Sequence, residues 1–250
     1  MAQPHHEREE EERRRESPPV RPVESGRGEP LERMEDRWTP AGPIPAEAPA
    51  ETVEQLEIQS QATVGDPVPL GLASFAAATF TVSAVNAGWF GNPVVGLVAA
   101  VPILLIFGGI SQYIAAMWAF RKGNTFAATA FGAFGAFNTL FAFIILLIAS
   151  GTIPLGTVPG DYTVATTLAM FALIAGYLAF AATGVSTVLV AVLGFLAATY
   201  ALLTAGFFIG PPNMAIVAGG YCGIVSSLLA FYASAAIVIN SATRHEIVPY

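Results

Sequence analysis

Charge is what most of this chain lacks. Between Pro67 and Thr243 the only charged side chains are Arg121, Lys122 and Asp161, whereas about a quarter of the residues of a soluble domain are charged. That scarcity excludes a water-solvated surface for the stretch and predicts an all-α integral membrane protein. Within the apolar segments Asp, Glu, Lys, Arg and His are absent altogether, which excludes a buried carboxylate proton relay and an arginine clamp for an anion. Cysteine is scarce as well. Cys222 stands alone, excludes an internal disulfide and reads as a small hydrophobe. Histidine is confined to His5, His6 and His245. No metal-ligand spacing and no nucleophile–base pair can be drawn, so neither a catalytic set nor a cofactor is expected. No apolar h-region opens the chain, so no cleavable signal peptide is expected.

What the chain does have divides near position 66. Residues 1–66 hold 16 of the 18 acidic and 8 of the 11 basic residues, a net −8, while the remainder carries +1. Nine prolines and few bulky apolar residues accompany that charge, a mixture that buries too little surface to offset chain entropy. We therefore expect a disordered, acidic, Pro-rich tail over residues 1–66. It holds at most a transient helix at the Glu/Arg run 9–16, where i,i+4 pairs contribute about 0.2–0.5 kcal/mol each, and a short amphipathic turn at 52–59. Residues 67–242 form the membrane domain and residues 243–250 a short second tail.

A helix needs about 20 mostly apolar residues to cross the hydrocarbon core. With Gly, Pro and Asn as punctuation, the body yields six segments: 70–89, 94–120, 124–150, 163–183, 187–209 and 214–240. They lack period-two alternation and are far longer than the roughly 10 residues of a membrane strand, so a β-barrel is excluded. The 151–161 stretch is read as a Gly- and Pro-rich loop. Arg121 and Lys122 mark the second–third connection as cytoplasmic. Arg244 and the arginines of the tail agree, so both termini are expected in the cytoplasm. Pro102 predicts a kink in the second span. Gly108, Gly109, Gly132, Gly135 and the pair Gly219 and Gly223 predict close helix packing.

Sparse polar residues then stand out. Phe75, Thr79, Ser83 and Asn86 share one stripe of the first span. Asn86 brings hydrogen-bonding groups that need either an interhelical partner, at about 0.6 kcal/mol, or a water-filled path. Gly108, Gln112, Ala115 and Ala119 form a similar stripe in the second span. In the third, Thr125, Thr129, Gly132 and Ala136 occupy one face, with Phe134 and Asn138 roughly opposite. An asparagine among phenylalanines is costly unless bonded, so Asn138 must meet a neighbour, water or substrate. Tyr177, Tyr200 and Tyr232 read as packing or interfacial anchors.

Several ordered phrases carry a family resemblance. Asp66-Pro67-Val-Pro69-Leu70-Gly71-Leu72 enters the first span and Val85-Asn86-Ala87-Gly88 closes it. Gly108-Gly109-Ile-Ser-Gln112, Arg121-Lys122-Gly123-Asn124-Thr125-Phe126, Thr129-Ala130-Phe131 and Gly219-Gly220-Tyr221-Cys222-Gly223 follow in order, and Ala230-Phe231-Tyr232 comes last. Together these resemble the acetate uptake transporter family, the succinate–acetate permeases, over residues 66–242. The resemblance implies a six-helix protomer, a homohexamer, and in each protomer a narrow path for small carboxylates with a hydrophobic constriction of Phe, Tyr and Leu. By motif those positions fall on Phe75, Phe134 and Leu196. Asp66 replaces the family's leading Asn and Phe134 lacks the phenolic hydroxyl. Asn138 stands where an aromatic is usual, and Ala119 where relatives often carry Glu.

These readings converge on a multi-pass plasma-membrane transporter of acetate, with other small carboxylates such as succinate as further substrates, proton-linked or channel-like. Phe75, Phe134 and Leu196 would form its constriction, with Asn86, Gln112, Thr125, Thr129 and Asn138 as polar lining. Its partners would be the carboxylate, a proton and further copies of the chain. A channel for uncharged solutes or ammonia, and a membrane sensor or scaffold acting through the acidic tail, stay open as alternatives.

Overall fold

The computed structural model describes residues 65–249. The expected helix at 9–16 and the turn at 52–59 lie outside them. Six helices long and apolar enough to cross a membrane follow one another: α1 (Val68–Asn86), α2 (Pro93–Arg121), α3 (Thr125–Ala149), α4 (Val158–Gly184), α5 (Thr187–Ile209) and α6 (Met214–Thr243). Among the described residues there is no strand. The outer surface is apolar: Phe180 is 80% exposed and Leu173 66%, an arrangement water would penalise at about 25 cal/mol per Å².

Local chemistry sets the helix ends. Asn92, Asn124, Ser186 and Asn213 cap the starts of α2, α3, α5 and α6, each side-chain oxygen accepting a backbone N–H that the first turn leaves unpaired. Asn213 also donates its amide to Gly206 O at 2.7 Å and Gly210 O at 2.9 Å, stitching α5 to α6. The chain leaves α5 through Gly210 at φ +100°, a conformation that favours glycine.

Two elements depart from the sequence reading. The stretch expected as loop up to Asp161 already turns helical at Val158. Pro159 suits a first turn, where its missing N–H costs nothing, and Asp161 accepts a hydrogen bond from Gly156 N at 3.0 Å. In α2, Pro102 does more than kink. The α-helical part stops at Ile103, and Leu104–Ser111 winds as a π-helix before α-geometry resumes at Gln112. The backbone N–H of Gln112 bonds to Gly109 O, so Gly108 O lacks the i+4 partner of a regular helix.

The helices form a ring in the order α1, α6, α5, α4, α3, α2, with α1 also touching α3. The predicted close packing is present and is divided between neighbours. Gly219 meets Leu203 and Thr199 of α5. Gly220 lies so near α1 that a Cβ would overlap the Ala87 nitrogen, and Gly223 abuts the Ser83 hydroxyl. Ser226 Oγ donates to Val192 O of α5 and Ser234 Oγ to Pro69 O of α1, both at 2.7 Å.

After α6 the chain reverses at Arg244, which adopts a left-handed conformation at φ 58°. Asn240 holds the returning segment: its Oδ1 accepts from Ile247 N at 2.9 Å and Val248 N at 3.0 Å, and its Nδ2 donates to Val248 O at 2.8 Å.

Candidate functional site

Three voids follow one another inside the ring. A vestibule of about 560 Å³ opens at the start of α1, bounded by Asp66, Val68 and Leu72, by Val185 and Leu189 at the α4–α5 connection, and by Asn240, Glu246 and Val248 at the far end of the chain. It shares Val68, Leu72, Val185 and Leu189 with a first chamber of about 80 Å³. That chamber is lined by apolar side chains, among them Phe75, Phe131, Phe134, Val192 and Leu193, with Asn124 its single polar lining residue. One helical turn further along each of α1, α3 and α5 lies a second chamber of about 30 Å³, room for about a water or two. Thr79, Ser83 and Asn86 reach it from α1, Asn138 from α3, and Leu196, Thr199 and Tyr200 from α5.

On the wall of the first chamber the rings of Phe75 and Phe134 lie with centroids 5.6 Å apart, tilted by 47°. Leu196 is wholly buried on the side of the second chamber. Ser74 bonds back to Leu70 O at 2.6 Å and Gly71 O at 3.2 Å, leaving no free polar group beside Phe75. Gly71 is required here, because a Cβ would run into the Phe131 ring. The opening motif is thus structural as well as positional. Pro67 precedes the first turn, Asp66 Oδ1 accepts from Val68 N at 3.2 Å, and Pro69 O receives the Ser234 hydroxyl. Leu72 faces the vestibule and the first chamber, while Leu70 is 42% exposed.

The polar residues expected along the path separate into three groups. Asn86 and Asn138 line the second chamber. Gln112 lines neither chamber. It lies fully buried behind Asn138, whose amide nitrogen donates to Gln112 Oε1 at 3.0 Å and to Gly108 O at 3.3 Å. Gln112 Nε2 is left without a partner, at a cost of about 1–3 kcal/mol. Thr125 and Thr129 do not join the lining, a correction to the sequence reading. At about 100° per residue they point away from the face carrying Ala127, Ala130, Phe131 and Phe134, which closes the first chamber. Thr125 is exposed at the helix start, and Asn124 supplies the polar lining instead.

Three aromatic residues that line the second chamber, Tyr200, Phe137 and Phe141, were not placed on the path by the sequence reading. Tyr200, read as a packing or interfacial anchor, does pack, in a cluster with Phe137, at 4.9 Å between centroids, and Phe171, at 6.5 Å, and it also lines the second chamber. Phe137 stacks in turn on Phe141 at 5.3 Å. For Phe137 and Phe141 the signal was the i, i+4 aromatic spacing of α3, which also suits lipid contact and so did not distinguish the two faces. No Asp, Glu, Lys, Arg or His lines either chamber, and among the described residues no cluster of metal-ligating side chains occurs.

A six-helix ring with two chambers lined by no charged side chain has relatives. The profile of the GPR1/FUN34/yaaH family matches residues 51–249. The chain belongs to this family. Among its relatives, acetate permease A of Emericella nidulans is 30% identical over 74% of this chain and 65% of its own length. The succinate-acetate/proton symporter SatP of Escherichia coli is 29% identical over 74% of this chain and 95% of its own. The solved structure of the bacterial acetate channel SatP superposes with a TM-score of 0.65 at 28% identity, covering 74% of this chain and 98% of that one. Family membership, six apolar helices and transporter relatives make this a multi-pass membrane protein of transport function.

Proposed function

We propose that this protein carries acetate, and other carboxylic acids of similar size such as succinate, across the cell membrane. The acid passes as a neutral molecule or together with a proton. What supports this best is the close pair of Phe75 and Phe134 on the wall of the first chamber, one helical turn from Leu196 and the second, with no charged side chain lining either chamber; in this reading the three residues form the neck. An ion stripped of water there meets no countercharge, and its desolvation is prohibitive, whereas a neutral acid loses only hydrogen bonds. Hydrophobic constrictions of this kind also gate by dewetting. The family relatives named for acetate and succinate fit the same reading. Passage of even a two-carbon acid requires the neck side chains to swing aside, because the second chamber is smaller than the first.

In this reading the vestibule faces the cytoplasm, since it opens on the side of the Arg121–Lys122 connection, and both termini lie on that side. The protomer carries its own path, and the assembly is a homo-oligomer, a hexamer by resemblance. Asn86 and Asn138 orient the carboxyl group beyond the neck. The test is uptake of labelled acetate into proteoliposomes across an imposed pH gradient, with protein-free vesicles of the same lipid subtracted. Acetic acid titrates near the glutamate side chain, at roughly pKa 4–5. Protein-dependent influx is therefore expected to fall as external pH rises from 5 to 7 at constant total acetate. Influx no greater than in protein-free vesicles would overturn the reading.

A further inference from the structure

The amide of Asn138 is held in one orientation by a carbonyl that can only accept. Its nitrogen donates to Gly108 O at 3.3 Å and to Gln112 Oε1 at 3.0 Å. Reversing the amide would set its oxygen against Gly108 O, lone pair against lone pair. Gly108 O accepts that donor in the π-helical stretch, where the Gln112 N–H turns to Gly109 O instead. The space for the amide exists because residue 108 has no side chain: a Cβ there would stand 2.9 Å from Asn138 Cγ and 2.8 Å from Ala78 Cβ. The unpartnered Gln112 Nε2 records the same constraint, since the pair is arranged to suit Gly108 rather than itself.

Neither Gly108 nor Gln112 lines the second chamber, whereas Asn138 does. With its nitrogen turned outward, the group Asn138 has left for the chamber is its Oδ1, an acceptor. The titratable group among the chamber's lining side chains is the Tyr200 phenol, and no cation faces the site from α1, α3, α4 or α5.

We infer that Asn138 is a specificity-determining residue, accepting a hydrogen bond from the protonated carboxyl of the substrate so that the neutral acid passes and its anion is refused. A carboxylic acid offers one O–H to Asn138 Oδ1 and a carbonyl that the Thr79 and Ser83 hydroxyls or the Asn86 amide can reach as donors. A carboxylate offers acceptors only, and would bring its charge against the Asn138 oxygen with no compensating donor there. This inference rests on the proposed carriage of small carboxylic acids and assigns the choice of protonation state to one side chain.

Acetic acid, acetamide and acetone are near-isosteres that separate the donor from the shape. Full-length protein in proteoliposomes is loaded with a pH dye, and labelled acetate influx is measured with each neutral analogue as competitor. Acetamide, which donates N–H, is expected to compete. Acetone, which has no donor, is expected to compete at least about fivefold more weakly, the factor for one hydrogen bond of roughly 1 kcal/mol. Acetate influx should acidify the lumen and be indifferent to an imposed potassium diffusion potential. Asn138→Leu should lower influx by about the same factor and erase the difference between acetamide and acetone. Equal competition by the two analogues in the unaltered protein, or influx that accelerates with a positive interior, would overturn the inference while leaving acetate transport intact. Absence of any protein-dependent influx would instead remove the transport reading on which it stands.

Discussion

Phe75 illustrates how much of this protein's function is carried by side chains with no chemistry of their own. It is buried on the wall of the first chamber, its ring 5.6 Å from that of Phe134, and the neck proposed there would exclude ions because it offers them nothing in return for lost water. Phe75→Ala should therefore join the two chambers. Uptake of propionate or butyrate relative to acetate should rise, because size selection resides in the neck. Truncating a buried phenylalanine in a soluble core costs about 3–5 kcal/mol, so the variant should also melt earlier in detergent. An unchanged ratio of butyrate to acetate uptake in a folded variant would show that the rings do not set the size limit. At this scale the sequence was informative in proportion to contrast. Asn138 stood out against phenylalanines, and its need for a partner was plain from composition. The partner, Gln112, lies 26 positions earlier in the chain, and no periodicity within one helix connects the two. Phe75 and Phe134 were picked out by resemblance, since one phenylalanine in an apolar run looks like another.

Helices, by contrast, were legible because lipid allows few alternatives to satisfying every backbone group within the segment. Six spans, their caps at Asn92, Asn124 and Asn213, and the break at Gly210 are all written in local residue types. What local types do not specify is which face of a helix meets a neighbour. The stripe of Thr125 and Thr129 was a sound stripe on the wrong side of α3 for the chambers, and the π-turn after Pro102 arises where α2 must accommodate both α1 and α3. Glycines make the point testable. Gly220 faces the backbone of α1, with Ser83 O and Ala87 N in the space a Cβ would take, whereas Gly194 on α5 has nothing within 4 Å. Gly220→Ala should destabilise the α1–α6 pair by about 1–3 kcal/mol, read as a lower melting temperature in detergent. Gly194→Ala should be neutral or slightly stabilising, since it removes glycine's backbone entropy in a helix without a clash. Equal melting temperatures for the two variants would contradict the packing described for α6.

For the whole molecule the question is what the acidic N-terminal extension has to do with the conduit. The described residues that line the vestibule and chambers run from Asp66 to Pro249, and the family profile begins at residue 51. Deleting residues 1–60 should therefore leave protein-dependent acetate uptake in proteoliposomes unchanged, with its dependence on pH and its order of analogue competition intact. Were the chain instead a membrane sensor acting through its tail, the same deletion would abolish its cellular output, and Phe75→Ala would leave that output untouched. The far end of the chain makes the opposite prediction. Glu246, Val248 and Pro249 wall the vestibule, and their segment is tied to α6 through Asn240. Asn240→Ala removes those three hydrogen bonds and should free the segment, so that trypsin cuts after the exposed Arg244 several times faster in detergent. If cleavage is no faster, the Asn240 clamp does not hold the segment in place. Faster cleavage with unaltered uptake would make the strap a wall of the vestibule and no more, whereas faster cleavage with raised uptake would place a rate-limiting barrier at the mouth rather than at the Phe75–Phe134 neck.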